Sequence, residues 1–377
     1  MFSDKKIAIV YDWIDKWGGV ERVLLDLHKI FPNAVFHTSY FDREKAEWAK
    51  DLNIKTSFLQ SFPDMIKKNR ILSLPFFPFV FESFNFSGYD LVISITSSFA
   101  KSIITQPGTK HICYLLTPTR YLWSHKKDYL KNKFINYLIS GYLEYFKNWD
   151  KIVAQRPDKI ISISGAVQAR CQKYYGRGSE VVYPGLDINY WEKIKSQITN
   201  DKSQMNSKYE ILNTKYFLLV SRLEPYKKID LAINVFNKLN KKLIIVGKGS
   251  QSGELKKLAG ENITFLSGLS DVELGGLYSN AQALIMPQEE DFGYVALESQ
   301  FFGCPVIAYK KGGVEETVID GKTGIFFSGQ AEQSLKRAVE RFDKIKYNLR
   351  KNTAKFGIIN VEKFSKVRFI EKFVKNI

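Results

Sequence analysis

Short runs of β-branched and aliphatic residues alternate along nearly the whole chain with stretches whose apolar positions recur every three or four residues. The first pattern predicts buried strands and the second amphipathic helices. Predicted strands in the first half are Lys6–Tyr11, Ala34–Ser39, Leu91–Ile95, His111–Leu115, Ile160–Ile163 and Glu180–Tyr183. In the second half they are Tyr216–Ser221, Leu243–Val246, Ile263–Leu266, Ala283–Met286, Val306–Ala308 and Gly324–Phe327. Alternation of this kind marks parallel α/β units, in which crossover helices cover both faces of a sheet. A seam is expected near Pro184-Gly185, and the polar stretch Gln197–Ser207 reads as a loop or linker. The pattern predicts two doubly wound lobes around a cleft, with chemistry in the loops at the carboxyl ends of the strands.

Composition narrows the class. A chain of 377 residues suits two domains. With 45% hydrophobic and 25% charged residues it is neither disordered nor fibrous, and resembles an ordinary globular enzyme. Cys113, Cys171 and Cys304 are odd in number and far apart, so they form no disulfide framework or zinc spacing, and a reducing cytosol is expected. The opening residues run directly into a strand with no small-residue cleavage site, which again predicts a cytoplasmic chain. No stretch reaches the roughly 18 consecutive apolar residues of a membrane span. The nearest, Ile71–Phe86, is broken by Pro75, Pro78 and Glu82.

The net charge of +17 sits in two blocks. Residues 101–185 hold 14 basic and 5 acidic groups, and residues 331–377 hold 13 and 5, whereas residues 1–100 and 186–330 are balanced. Such blocks suit an anionic membrane, a phosphorylated substrate or nucleic acid. In the segment Arg120–Lys151, aromatics including Trp123, Tyr129, Tyr142 and Trp149 lie among lysines, a mixture that suits either lobe packing or an anionic membrane surface. No nucleic-acid module accompanies the charge, so no nucleic-acid partner is expected.

Three loops carry candidate chemistry. In Met286–Glu298 a strand ends, the acidic loop Glu289-Glu290-Asp291 follows, and a helix begins near Gly293. Carboxylates there either cap the helix or accept hydrogen bonds from sugar hydroxyls while helix amides bind a phosphate. Ser221-Arg222-Leu223-Glu224-Pro225-Tyr226-Lys227-Lys228 also joins a strand to a helix. It is either an exposed basic turn or a diphosphate clamp. Gly18-Gly19 precedes a helix in the first lobe, where glycine lets the backbone approach a bulky anion, or forms a simple turn. Gly321-Lys322-Thr323 lacks the earlier glycine of a P-loop, Gly247-Lys248-Gly249 lacks the third glycine of a dinucleotide fingerprint, and no Asp-x-Asp is present.

Together, the Glu290-x7-Glu298 pair, the Arg222-Leu-x3-Lys227 loop, Gly18-Gly19-Val20-Glu21 and Gly312-Gly313-Val314-Glu315-Glu316 resemble family four of the retaining GT-B glycosyltransferases. The likeness covers about residues 215–328 closely and the first lobe more loosely. It implies a GT-B fold: an acceptor-side Rossmann-like lobe at 1–185, a nucleotide-sugar lobe at 186–355, and a final helix, 356–377, crossing back to the first. It implies that Glu290 contacts the donor sugar, Glu298 the ribose, and Arg222 and Lys227 the diphosphate, with Lys228 a competitor for the last role. Backbone amides of Phe292, Gly293, Tyr294 and Val295 would meet phosphate or sugar. Gly19 would reach the diphosphate from the other lobe, and Leu269, in Ser267–Leu269, would pack on the base. The family's Tyr-Cys-His-Thr-Pro-x-Arg segment corresponds to Tyr114–Arg120, but Leu116 stands where the family has His. His125 is the nearest substitute in sequence, and His28, His37 and His111 read as structural.

These motifs imply a metal-independent, retaining hexosyltransferase, with GDP-mannose the first donor guess and a glycan or lipid-linked acceptor. It would lie on the inner face of the cell membrane in surface-polysaccharide or glycolipid synthesis. A nucleotide-sugar epimerase of the same fold, or a non-catalytic lipid- or nucleic-acid-binding protein, is the alternative.

Overall fold

The computed structural model describes residues 4–124, 140–200 and 214–377. It divides into two units, residues 1–184 with 370–377, and residues 185–369.

The first unit is built on a seven-stranded sheet in the order β3-β2-β1-β4-β5-β6-β7. Its strands are β1 (Ile7–Tyr11), β2 (Val35–Thr38), β3 (Ile54–Thr56), β4 (Leu91–Thr96), β5 (Lys110–Leu115), β6 (Lys159–Ser162) and β7 (Glu180–Val181). Every pairing is parallel. β1 and β4 are buried along their whole length, as strands covered on both faces must be, which explains the unbroken apolar sequence of β1 and the mainly apolar one of β4. β3 escapes the hydrophobic pattern because it is a three-residue edge strand, part-exposed throughout. The long apolar run Ile71–Phe86 covers the sheet: Phe77, Val80 and Phe81 of the helix Phe77–Glu82 join Ala8, Val10 and Val92 in one core cluster. Pro78 is tolerated because it sits in that helix's first turn.

Two histidines are sealed in this unit. His111 Nε2 meets Ser94 Oγ at 2.8 Å, and burial pushes its pKa down to about 3. His37 stands among the rings of Phe84, Phe86 and Tyr89, and burial takes its pKa down to about 4. Both are neutral in the fold, whereas an unfolded histidine gains its proton near 6.5. Stability therefore falls as pH drops below about 6.5 and levels off only below the folded pKa values. Between pH 7 and 5 each histidine is expected to remove up to about 2 kcal/mol. Urea midpoints at the two pH values check this, and a His37→Phe, His111→Gln double variant should flatten the difference.

The second unit carries a six-stranded sheet in the order β10-β9-β8-β11-β12-β13. The strands are β8 (Phe217–Val220), β9 (Leu243–Val246), β10 (Ile263–Leu266), β11 (Leu284–Met286), β12 (Val306–Tyr309) and β13 (Gly324–Phe327), again all parallel. The helices Ile229–Leu239 and Glu332–Glu362 bury Ile233, Phe236, Leu335, Val339 and Phe342 against Phe217, Leu219, Ile245 and Ile307. The 31-residue helix Glu332–Glu362 runs unbroken through 355/356, where the family resemblance puts the start of the final segment. Gly357 does not end it: a Cβ there would collide with the Gln300 carbonyl, so the glycine permits close packing. The last helix, Lys366–Lys375, starts in the second unit and ends in the first, where Phe373 lies 5.6 Å from the Tyr114 ring. Gln197–Asn200, expected to start a linker, instead end the helix Ile188–Asn200, and 201–207 lie outside the described residues. Gly185 follows the break between units and packs so closely on Lys366 that a side chain would strike its Cα. No helix among the described residues is long and apolar enough to cross a membrane.

Candidate active site

In a doubly wound sheet the strand order reverses at one point, and the loops leaving the two strands there diverge to open a crevice. In the second unit that point lies between β8 and β11. The loops leaving these strands are Ser221–Lys228 and Pro287–Gly293, the two basic and acidic loops of the sequence.

The first loop ends in a 3-10 turn, Pro225–Lys227, after which Lys228 takes a left-handed conformation (φ 53°) and opens the helix Ile229–Leu239. This turn buries Lys227 to 8% exposure and directs its ammonium onto Glu290 Oε1. The fold thus sets Lys227 against the acidic loop. Arg222 is exposed, and its guanidinium donates to Tyr226 Oη at 2.8 Å.

The second loop holds Glu290 by both ends. Its Oε1 also accepts from Gln288 Nε2 at 2.7 Å, and its carbonyl accepts from Gly313 N at 2.8 Å. Gly293, at φ +95°, turns the chain into the helix Tyr294–Phe301. The positive end of that helix, with Tyr294 and Val295 in its first turn, therefore stands at the carboxyl end of β11. Phe292 is buried beside it. Glu298, one turn beyond Tyr294, is 3% exposed and accepts from Tyr278 Oη at 3.1 Å. Leu269 is half-buried beyond β10, two places from β8 in the sheet, directly before a capping box of Ser270 and Glu273.

Two glycine pairs make these loops possible. A Cβ on Gly247 would run into the Ser221 carbonyl, and one on Gly249 into Leu223. A Cβ on Gly312 would strike the Glu290 carbonyl, and one on Gly313 that of Asp291. The Gly247-Lys248-Gly249 stretch, no dinucleotide fingerprint, is thus the floor under the Arg222 loop. The Gly312-Gly313 pair does the same for Glu290. Sequence hints at such roles only as paired glycines after a strand.

In the first unit Gly19 is the first residue of the helix Gly19–Ile30, beyond the carboxyl end of β1. Glu21 in that first turn is buried, accepts from Tyr11 Oη at 3.2 Å, and has its carboxyl pKa raised by burial. Leu116 is buried at the end of β5, donating its N–H to the Thr96 carbonyl at 2.8 Å. His125 lies outside the described residues. This sheet reverses its order between β1 and β4. Asp12, which the sequence motifs do not single out, spans that point. Fully buried, it accepts from Thr96 Oγ1 at 2.8 Å and from the N–H groups of Ser97, Phe99 and Ala100 at 2.7–2.9 Å. Its one sequence signal is an acid placed directly after a wholly apolar strand.

Residues 201–358 match the family model of glycosyl transferases group 1. The chain is 28% identical over 216 residues to the D-inositol 3-phosphate glycosyltransferase of Streptosporangium roseum, covering 51% of this chain and 47% of that protein. It is 27% identical over 202 residues to a GDP-mannose-dependent alpha-(1-6)-phosphatidylinositol monomannoside mannosyltransferase of Mycolicibacterium smegmatis, covering 48% and 52%. The match thus spans about half the length of these relatives. Among solved structures, Anabaena Alr3699/HepE in complex with UDP-glucose superposes with a TM-score of 0.72 at 19% identity over 98% of both chains. WaaG, a glycosyltransferase involved in lipopolysaccharide biosynthesis, does so at 0.69 and 18% over 93% of this chain and 95% of that one. The two parallel Rossmann-like sheets are those of the GT-B architecture that the motifs implied.

Proposed function

We propose that this chain, whose residues 201–358 match the family model of glycosyl transferases group 1, moves a hexose from a nucleotide-diphosphate sugar to a glycan or lipid-linked acceptor with retained configuration. The observation that carries the reading is the Lys227–Glu290 pair, set where the second sheet reverses and beside a helix N-terminus. A diphosphate needs cations and N–H donors, and a sugar ring needs carboxylate acceptors. This corner of the fold offers both.

In the proposed reaction the bond from the anomeric carbon to the diphosphate breaks while positive charge develops on the sugar. A new bond forms to the acceptor oxygen on the same face, and the acceptor proton passes to the departing phosphate oxygen. Leu116, an apolar side chain, supplies no imidazole for that proton. Lys227, Arg222 and the amides of Phe292, Gly293, Tyr294 and Val295 stabilise the charge gathering on the diphosphate without a metal. Glu290 accepts from sugar hydroxyls, Glu298 from the ribose, and Leu269 packs on the base.

Mannose from GDP-mannose is the first donor to test, supported by the mycolicibacterial relative's requirement for it. The UDP-glucose held by the Anabaena protein makes UDP-sugars the necessary comparison. The two basic blocks support peripheral association with the inner face of an anionic membrane, where each lysine or arginine contributes about 1 kcal/mol. Sedimentation with anionic vesicles should weaken with salt, and equal binding to neutral vesicles would refute that part of the reading.

The direct test is calorimetric titration with nucleoside diphosphates. One of them should bind the wild-type protein, and Glu298→Gln should weaken it by about tenfold, the worth of one buried hydrogen bond. Unchanged affinity in a folded Glu298→Gln protein would return Glu298 to a structural role beside Tyr278.

A further inference from the structure

We propose that Asp150 is a positioning residue that fixes the loop leaving β5, Leu116–Arg120, for acceptor recognition; this rests on the glycosyl-transfer reading above. Asp150 lies in the last turn of the helix Ser140–Val153 and is fully buried. Its Oδ1 takes Lys101 Nζ at 2.6 Å and Thr119 Oγ1 at 3.1 Å. Its Oδ2 takes Trp123 Nε1 at 2.7 Å and Tyr175 Oη at 2.9 Å. An ionised carboxylate offers about four acceptor sites, so these donors saturate it. They come from four segments: the turn after β4, the loop after β5, the helix Arg120–Trp123, and the end of the helix Gly165–Tyr175.

Thr119 shows what the arrangement costs. It is the N-cap of the helix Arg120–Trp123, a position where a threonine hydroxyl normally accepts from its own helix and contributes about 1 kcal/mol. Here it makes no such cap, and its one hydroxyl proton is shared between Asp150 Oδ1 and the Ser98 carbonyl, each at 3.1 Å. A local rule broken in favour of a buried network is the mark of a functional constraint. The neighbouring residues are held in the same way. Arg170 Nη1 donates to Thr117 Oγ1 at 3.0 Å, Tyr121 Oη meets Ser98 Oγ at 2.9 Å, and Leu116 is tied to β4 through its N–H. Residues on both sides of Arg120 are thus fixed, at the carboxyl edge of the sheet, where such folds receive ligands. β5 is next to β4, and β4 bounds the point where the strand order reverses.

Asp150→Asn would turn an amide N–H toward two of these donors and leave Lys101 without its anion, so loss of fold is expected. The informative variants keep the Lys101–Asp150 pair. Thr119→Val and Trp123→Phe each remove one donor, and Thr119→Ser restores the hydroxyl. Steady-state kinetics with GDP-mannose, UDP-glucose and candidate acceptors separate the two substrates, and melting temperatures follow the fold. Thr119→Val is expected to raise the acceptor KM or lower kcat by about tenfold to a hundredfold, the scale of a misplaced binding group. The donor KM should stay within about twofold, and Thr119→Ser should recover most of the loss. An unchanged acceptor KM and kcat in folded Thr119→Val and Trp123→Phe proteins, whatever their melting temperatures, would overturn the proposal alone. No transfer by the wild-type protein to any acceptor would overturn the glycosyl-transfer reading, and this proposal with it.

Discussion

Lys227→Ala is expected to weaken nucleoside-diphosphate binding by roughly 1.5–3 kcal/mol, the range of a hydrogen bond to a charged group. That is about a ten- to hundredfold rise in Kd, with turnover falling at least as far. Two effects combine. The diphosphate loses a nearly buried cation, and the Glu290 carboxylate loses the ammonium set against it by the Pro225–Lys227 turn. Lys228→Ala should do less, because Lys228 begins the next helix in a left-handed conformation and is less buried than Lys227, which holds Glu290. Calorimetry on both variants measures the difference. An essential Lys228 beside a neutral Lys227 would move the clamp by one residue.

Gly312→Ala should damage both stability and turnover. Gly312 adopts φ +89°, a left-handed conformation that costs a residue with a side chain roughly 1–2 kcal/mol. The new Cβ would also meet the Glu290 carbonyl, the group already bonded to Gly313 N. Backbone cannot swing aside as a side-chain tip can, so a further 1–3 kcal/mol, roughly, is expected from overpacking, and Glu290 must shift. Gly321→Ala supplies the control: its φ is +71°, and nothing lies within 4 Å of the point where its Cβ would stand. It should pay only the conformational cost and keep its turnover. Equal melting temperatures and equal turnover in the two variants would show that Gly312 does not hold Glu290 in place.

The strands were legible because parallel sheets bury both faces, so β1, β8 and β9 are written as unbroken apolar runs. Their alternation with helical periodicity carries the fold class. β3 was not legible: a short edge strand needs little apolar sequence. The candidate site was legible in part, since Arg222, Lys227 and Glu290 occupy strand-to-helix loops and Glu298 follows in the helix after one of them, with recognisable spacing. The partner of Glu290 was not, because one left-handed residue decides which lysine turns inward. Asp12 and Asp150 were hidden for a different reason. Their donors lie far away in sequence, Thr96 from Asp12 and Lys101 from Asp150, and no local pattern records a contact between such distant segments. Gly247 and Gly312 likewise serve loops that their own neighbours do not reveal.

The central claim is transfer of a sugar from a nucleotide donor to a separate acceptor. Incubating the protein with GDP-mannose or UDP-glucose, with and without a lipid-linked or oligosaccharide acceptor, tests it most directly by product analysis. The account predicts nucleoside diphosphate released in step with a glycosylated acceptor whose new linkage keeps the donor's anomeric configuration. A rearranged nucleotide-sugar formed without acceptor would make the chain an epimerase, and binding of neither donor would contradict the account altogether.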